Sequence, residues 1–256
     1  MGSIAMTGVQ LLGPFEAPGF SPRHVRVYAP QGRETAGAKA LYLFDGQNVF
    51  GDEGSHAGGW HVHEALDALG PQAPVCVAIE HGGVARADEL GPWWTPRGGG
   101  RGRAFLAWVA EGLVPRLAGE LGLSTRPEDV VIGGSSMGGL AALFAHHEHP
   151  ARFGGVLAMS PSLWFADGAL VEHVRAAPRP WTSRIYLDAG GREGGGMAAG
   201  CERLAAALRD KGYGERDLRY VFDAVGGHCE AAWRARVPGA LAFLFPELSR
   251  EARRAA

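Results

Sequence analysis

The stretch Asp129-Val130-Val131-Ile132-Gly133-Gly134-Ser135-Ser136-Met137-Gly138-Gly139-Leu140 joins an apolar run to an alanine-rich one through a string of glycine and serine. Glycine inside regular structure costs backbone entropy, so it belongs where the chain must bend or approach itself closely. Here the bend falls between a strand candidate, "DVVIGG" (129 to 134), and a helix candidate, "MGGLAALFAHHEH" (137 to 149). Gly134-Ser135-Ser136-Met137-Gly138 fits G-x-S-x-G, a sharp strand-to-helix turn that lifts its central serine above a sheet. With 40 glycines in the chain the pentapeptide alone could arise from composition; the strand before it and the helix after it decide for the turn. In such a turn Ser136 is strained, and Gly134 and Gly138 leave room where a Cβ would meet neighbouring chain.

Working outward, short apolar runs read as strands: "HVRVYAP" (24 to 30), "ALYLFD" (40 to 45), "PVCVAIE" (74 to 80), "GVLAMS" (155 to 160), "RIYLDA" (184 to 189) and "LRYVFD" (218 to 223). Between them "GWHVHEALDALG", "RAFLAWVAEGLVPRLAGEL", "MAAGCERLAAALRDKG" and "EAAWRARVPGALAFLF" carry apolar residues at three- and four-residue spacing, which is helical. Alternating strand and helix predicts an α/β fold, a mostly parallel central sheet with helices on both faces. Ligands of such sheets bind at the carboxyl ends of the strands. Residues 1–256 read as one domain with no large lid domain, since no linker-like stretch divides them. Of two Gly-rich stretches, "RGGGRGR" (97 to 103) reads as a plain mobile loop, and "GGREGGG" (190 to 196) lacks the Lys-Ser/Thr of a phosphate-binding loop.

A composition 46% hydrophobic and 20% charged, with a net charge of -2, supports a large core and shows no pull toward nucleic acid or a membrane surface. The first fifteen residues have neither a basic nor a long apolar region of the secretory kind, and no run reaches the length of a membrane span. Cys76, Cys201 and Cys229 are odd in number and lack metal-ligand spacing. A cytoplasmic address is the expectation, and the oligomeric state is not written in these residues.

A serine needs a base to take its proton. In the chain order serine, acid, histidine, the base lies beyond the last strand, and His228 stands there, between "LRYVFDAVGG" and the final helix candidate. His146, His147 and His149 close the helix after Ser136, where cations suit the dipole; His61 and His63, two apart on a helix, should not face one another. Neither group is read as a metal site. For the acid, Glu193 lies in the loop after a strand, Asp188 within that strand and Asp223 at the end of the next. Glu193 is preferred by position, with Asp188 and Asp223 as alternatives, because geometry defines such a constellation. The amides of Met137, after the serine, and Gln47, after Asp45-Gly46, are the candidate oxyanion donors.

Several segments together resemble the putative-esterase family of α/β-hydrolases: "LYLFDGQNVF", "GGSSMGGLAALFAHHEHPARFGGVLAMSPSLWF" and "GGHCEAAWRARVPGALAFLF". The family includes esterase D, enterochelin-type siderophore esterases, feruloyl and acetyl-xylan esterases, and mycolyltransferases. The middle segment, with Ser160-Pro161-Ser162-Leu163-Trp164, is most similar to the siderophore-esterase branch. The resemblance implies an α/β-hydrolase fold, a Ser136, Glu193 and His228 triad and Gln47/Met137 oxyanion amides. It also implies that "SPSLW", Ser160 and Trp164 included, lines the pocket. Enterochelin esterases usually carry an extra N-terminal domain that this chain has no room for, and S-formylglutathione hydrolases read differently around the serine.

The expected chemistry is hydrolysis of a small-molecule ester through an acyl-enzyme on Ser136, with no metal or organic cofactor. Trp60, Trp93, Trp94 and Trp164, in or near loops after strands, could stack on an aromatic or sugar group. Arg97, Arg101 and Arg103 could attract an anionic ligand such as a catecholate siderophore. Acetyl or feruloyl carbohydrate esters are the alternative substrates. Acyl transfer to an alcohol and a non-catalytic binding protein on the same fold are the other readings.

Overall fold

The computed structural model describes residues 8–248 apart from 54, 56 and 57. Eight strands form one sheet: β1 (Gln10–Phe15), β2 (Arg23–Tyr28), β3 (Ala40–Phe44), β4 (Val75–Ile79), β7 (Val130–Ser135), β8 (Gly155–Met159), β9 (Arg184–Gly190) and β10 (Leu218–Asp223), in the order β1-β2-β4-β3-β7-β8-β9-β10. From β4 to β10 every neighbour is parallel; β2 pairs antiparallel with β1 and β4. The two remaining strands, β5 (Trp94–Thr95) and β6 (Gly98–Gly99), make a separate antiparallel ribbon.

The pleat sorts the strand residues between two apolar layers, as alternate side chains point to opposite faces. Ala40, Tyr42 and Phe44 of β3, Val130 and Ile132 of β7, and Val156 and Ala158 of β8 join one layer. It is covered by α3 (Gly102–Trp108), α4 (Val114–Leu121), α5 (Met137–Glu148), α6 (Ala169–Ala176) and α7 (Met197–Asp210). Leu41, Leu43, Val131, Leu157 and Met159 point the other way, onto α1 (Val62–Ala68) and α8 (Glu230–Leu244). The central strands β3, β4, β7 and β8 are buried throughout, which is why they read as continuous apolar runs. Helices cover both faces, as the alternation predicts.

One expectation changes. The Gly-rich stretch 97 to 103 is not a plain loop: Gly98 and Gly99 pair with Thr95 and Trp94, and α3 begins at Gly102. Glycine is required there because a Cβ on Gly99 would lie 2.3 Å from the carbonyl oxygen of Trp93. Strand β1, the short α2 (Arg86–Leu90) and α6 had no clear periodic signature.

Candidate active site

The parallel strands end on one edge of the sheet, and the loops that follow them hold the candidate residues. β7 delivers Ser136 in the turn before α5 at φ 53°, ψ -120°, a conformation a non-glycine residue adopts only under constraint. Two glycines make the turn possible. A Cβ on Gly134 would stand 2.7 Å from the backbone of Gly138, and one on Gly138 would stand 3.2 Å from both Phe44 and the Asp45 carboxylate. The same contact seats the β3 turn beside the serine. There Asp45, itself left-handed at φ 58°, is clamped by Arg86 of α2 through two bonds of 2.6 and 2.7 Å.

Met137 opens α5 and Gln47 lies in a 3-10 turn, Gly46–Asn48, that follows β3 directly. The first N–H groups of a helix have no partner within it, and the aligned peptide dipoles put positive charge at that end. Met137 therefore opens a segment suited to a developing negative charge, and Gln47 offers its amide from the turn after β3.

β9 leads into the loop of Glu193, whose carboxylate has no exposed surface and lies 3.7 Å from Nδ1 of His228. Gly194, Gly195 and Gly196 all take positive φ in that loop. The glycines before Glu193 serve close approach: Cβ atoms on Gly190 and Gly191 would meet the carbonyl oxygens of Gly226 and Ala224 at 2.4 and 2.5 Å. Arg192 N–H donates to the Gly226 carbonyl at 2.9 Å. Two loops are thus laced backbone to backbone, which brings the carboxylate to the imidazole. Trp233 of α8 supports the imidazole from below, edge to face at 5.0 Å.

The segment after β8 joins the halves of the site. Ser162 Oγ lies 3.1 Å from Ser136 Oγ, and Ser162 N–H donates to the Ser136 carbonyl at 3.0 Å. Two residues earlier, Ser160 donates its hydroxyl to Glu193 and accepts from Trp233 Nε1 at 3.0 Å and Arg236 Nη2 at 3.1 Å. Ser160 has no exposed surface, so the expectation that it lines the pocket is corrected: its hydroxyl is consumed inside the protein. Trp60 is corrected for the same reason, being 3% exposed and packed on Trp233 at 5.8 Å between ring centres.

All three acid candidates meet one guanidinium. Arg236 lies 3.0 Å from Asp188, 3.3 Å from Asp223 and 3.6 Å from Glu193. Their surroundings separate them. Burial pushes Asp188 up to about 6, against the pull of Arg236 and the Ser160 amide. Burial acts upward on Glu193 too, but the adjacent His228 imidazole and the hydrogen bond from Ser160 outweigh it and hold the carboxyl below the usual range. Ser162, Trp233, Arg236 and the Asp45–Arg86 clamp escaped sequence reasoning; Ser162 had a signal in "SPSLW", whereas the others are marked only by contacts across the fold.

A cavity of about 540 Å³ opens at the start of α5, lined by Met137, the residue after Ser136, and by Trp164, Phe165, Arg97, Thr95 and Asp167 among others. Trp164 is half exposed on its wall. Trp94 is exposed on the ribbon but is not among the lining residues, and Trp93 packs edge to face on Phe144. Of the three arginines only Arg97 reaches the cavity: Arg101 covers the Phe20 ring at 4.5 Å and Arg103 the Phe144 ring at 4.7 Å. His146 and His147 are buried and bonded to the carbonyls of Phe153 and Leu143, and His149 pairs with Glu111 at 3.5 Å.

The pairing of His61 and His63 also differs from expectation. His61 is not on the helix but caps it with a left-handed backbone at φ 51°, so the helical two-residue offset does not apply and the rings lie 5.7 Å apart.

Residues 20–244 match the family model described as "Putative esterase". The chain belongs to that family. It is 26% identical over 216 residues to the uncharacterized protein YbbA of Bacillus subtilis, covering 77% of this chain and 82% of the other. It is 33% identical over 147 residues to the iron(III) enterobactin esterase of Dickeya dadantii, covering 51% of this chain and 33% of that protein. Among solved structures it resembles the enterobactin esterase FES of Shigella flexneri, crystallised in the presence of enterobactin. That likeness has a TM-score of 0.74 at 25% identity, over 96% of this chain and 61% of the other. The BES protein of Bacillus cereus shares the fold, with a TM-score of 0.74 at 18% identity over 95% of this chain and 97% of the other. The chain is a carboxylic ester hydrolase of α/β-hydrolase architecture, and it spans a third to three-fifths of the length of these enterobactin esterases. No helix among the described residues is long and apolar enough to cross a membrane.

Proposed function

We propose that the esterase works through Ser136, His228 and Glu193. The observation that carries this reading is the strained elbow at Ser136, joined by the Ser162–Ser160 segment to a buried carboxylate that faces an imidazole. Ser136 Oγ attacks the ester carbonyl while His228 takes its proton, and the oxyanion forms against the amides of Met137 and Gln47. His228 then protonates the departing alcohol, and a water, deprotonated by the same imidazole, releases the acid from Ser136. Glu193 fixes the imidazole and offsets its positive charge. The spread of acidities supports Glu193 over Asp188, since a carboxyl held low stays ionised beside the imidazole and can offset the charge it gains in the reaction. The 3.7 Å separation is longer than a hydrogen bond, as resting sites often are before substrate tightens them.

The substrate we infer is an ester with an aromatic acyl group, the catecholate siderophore type first and the feruloyl type second. Trp164 offers a ring face for stacking and Arg97 a positive charge beside it. The enterobactin esterases among the relatives act in favour of the first. The test is kcat/KM for a trilactone catecholate against p-nitrophenyl acetate, with Ser136→Ala as the blank. Ser136→Ala is expected to lower kcat by on the order of 10⁶; substantial residual turnover rejects the nucleophile. Preference for the small activated ester rejects the siderophore reading and leaves the triad standing.

A further inference from the structure

We propose that His61, His63 and Glu64, with Asp52 behind them, bind a divalent metal ion of the Zn²⁺ kind at a site separate from the serine. A ring nitrogen of each histidine and a carboxylate oxygen of Glu64 lie within 4.8 Å of one another. His61 is held between two carboxylates: Nε2 is 2.8 Å from Asp52 Oδ1, and Nδ1 is 3.3 Å from Glu64 Oε1. A neutral imidazole has one N–H and one lone pair. With Asp52 taking the N–H, the lone pair of Nδ1 faces a carboxylate oxygen, an arrangement that a cation between them resolves. The 3.3 Å gap equals the spacing of about 3.3 Å that two ligands at roughly 2.0 Å keep around a tetrahedral ion.

Asp52 then plays the part that outer carboxylates play at metal-bound histidines, fixing tautomer and ring orientation. His63 brings the second imidazole. The left-handed turn at His61 is what makes the pair possible, since regular helix would point residues 61 and 63 apart. The remaining carboxylate oxygen of Glu64 is bonded to Arg234 of α8 at 2.5 Å, which anchors the ligand. A metal here would tie His61 and His63, through Glu64 and Arg234, to α8, the helix that carries Trp233 and Arg236.

The test is calorimetric titration of the whole chain with Zn²⁺, and electron paramagnetic resonance with Cu²⁺ to count the bound imidazoles. One ion per chain and two imidazole nitrogens are expected. His61→Ala/His63→Ala should weaken binding at least about 100-fold, and Asp52→Asn, which removes no ligand, about 10- to 100-fold. Each variant's melting temperature without metal verifies that it is folded. Absence of Zn²⁺ binding by the unaltered chain, or equal binding by the double variant, overturns the site. A one-imidazole copper signature overturns the role of His63.

Discussion

Asp188 has no exposed surface and shares the Arg236 guanidinium with Glu193 and Asp223, so the cluster holds more negative charge than its partner can offset. The most deeply buried member responds by favouring its proton, at about 6. An exposed aspartate titrates near 3.9, so between about pH 4 and 6 the folded chain holds a proton that the unfolded chain has lost. Stability from this residue therefore rises as pH falls through 6 and is complete near 4. The melting temperature of the native chain should gain on that of Asp188→Asn when both are moved from pH 7.5 to 4.5. A difference that stays constant with pH would show that Asp188 is charged throughout. The same cluster explains why position alone left three acid candidates open: the environment, not the residue type, distinguishes them.

At the scale of the element, α8 carries more of the site than its apolar spacing suggests. Trp233 and Arg236, three residues apart, lie on one face of the helix. One braces His228 and Ser160, while the other holds the carboxylates. Arg236→Ala strands buried carboxylates and is expected to cost about 3–5 kcal/mol, read by denaturant unfolding. Arg236→Lys should recover part of this, since an ammonium lacks the planar fork that reaches several carboxylates at once. Equal stability of the two variants would mean that a positive charge without the planar fork restores nothing. Helix α5 is the opposite case. It is buried on nearly all sides, and a helix apolar all round belongs in the interior. Its place behind Ser136 was readable from "LAALFA".

For the whole molecule, the cavity is assembled from parts distant in sequence. The β5–β6 ribbon supplies Thr95, and the turn joining its strands supplies Pro96 and Arg97; the segment after β8 supplies Trp164 to Asp167; α5 supplies Met137. Neither the ribbon nor the fate of each tryptophan followed from position in the chain. Trp164→Ala should reduce kcat/KM for aryl-acyl esters about five- to tenfold relative to p-nitrophenyl acetate, consistent with the loss of one stacking contact. An unaltered ratio would remove Trp164 from recognition of the acyl group.

The sequence by itself determined the alternation of strand and helix, the elbow at Ser136 and the order serine, carboxylate, histidine. These are local signals: buried parallel strands must be apolar throughout, and the turn needs glycine at Gly134 and Gly138. Strand β1 was not legible because it is a half-exposed edge interrupted by Gly13-Pro14, where alternation is lost. The tertiary structure alone decided that Ser160 and Trp60 are buried supports, that Arg236 gathers the three acids, and that His61 faces His63. Each depends on side chains brought together by packing or by a single left-handed residue, and neither leaves a period in the chain.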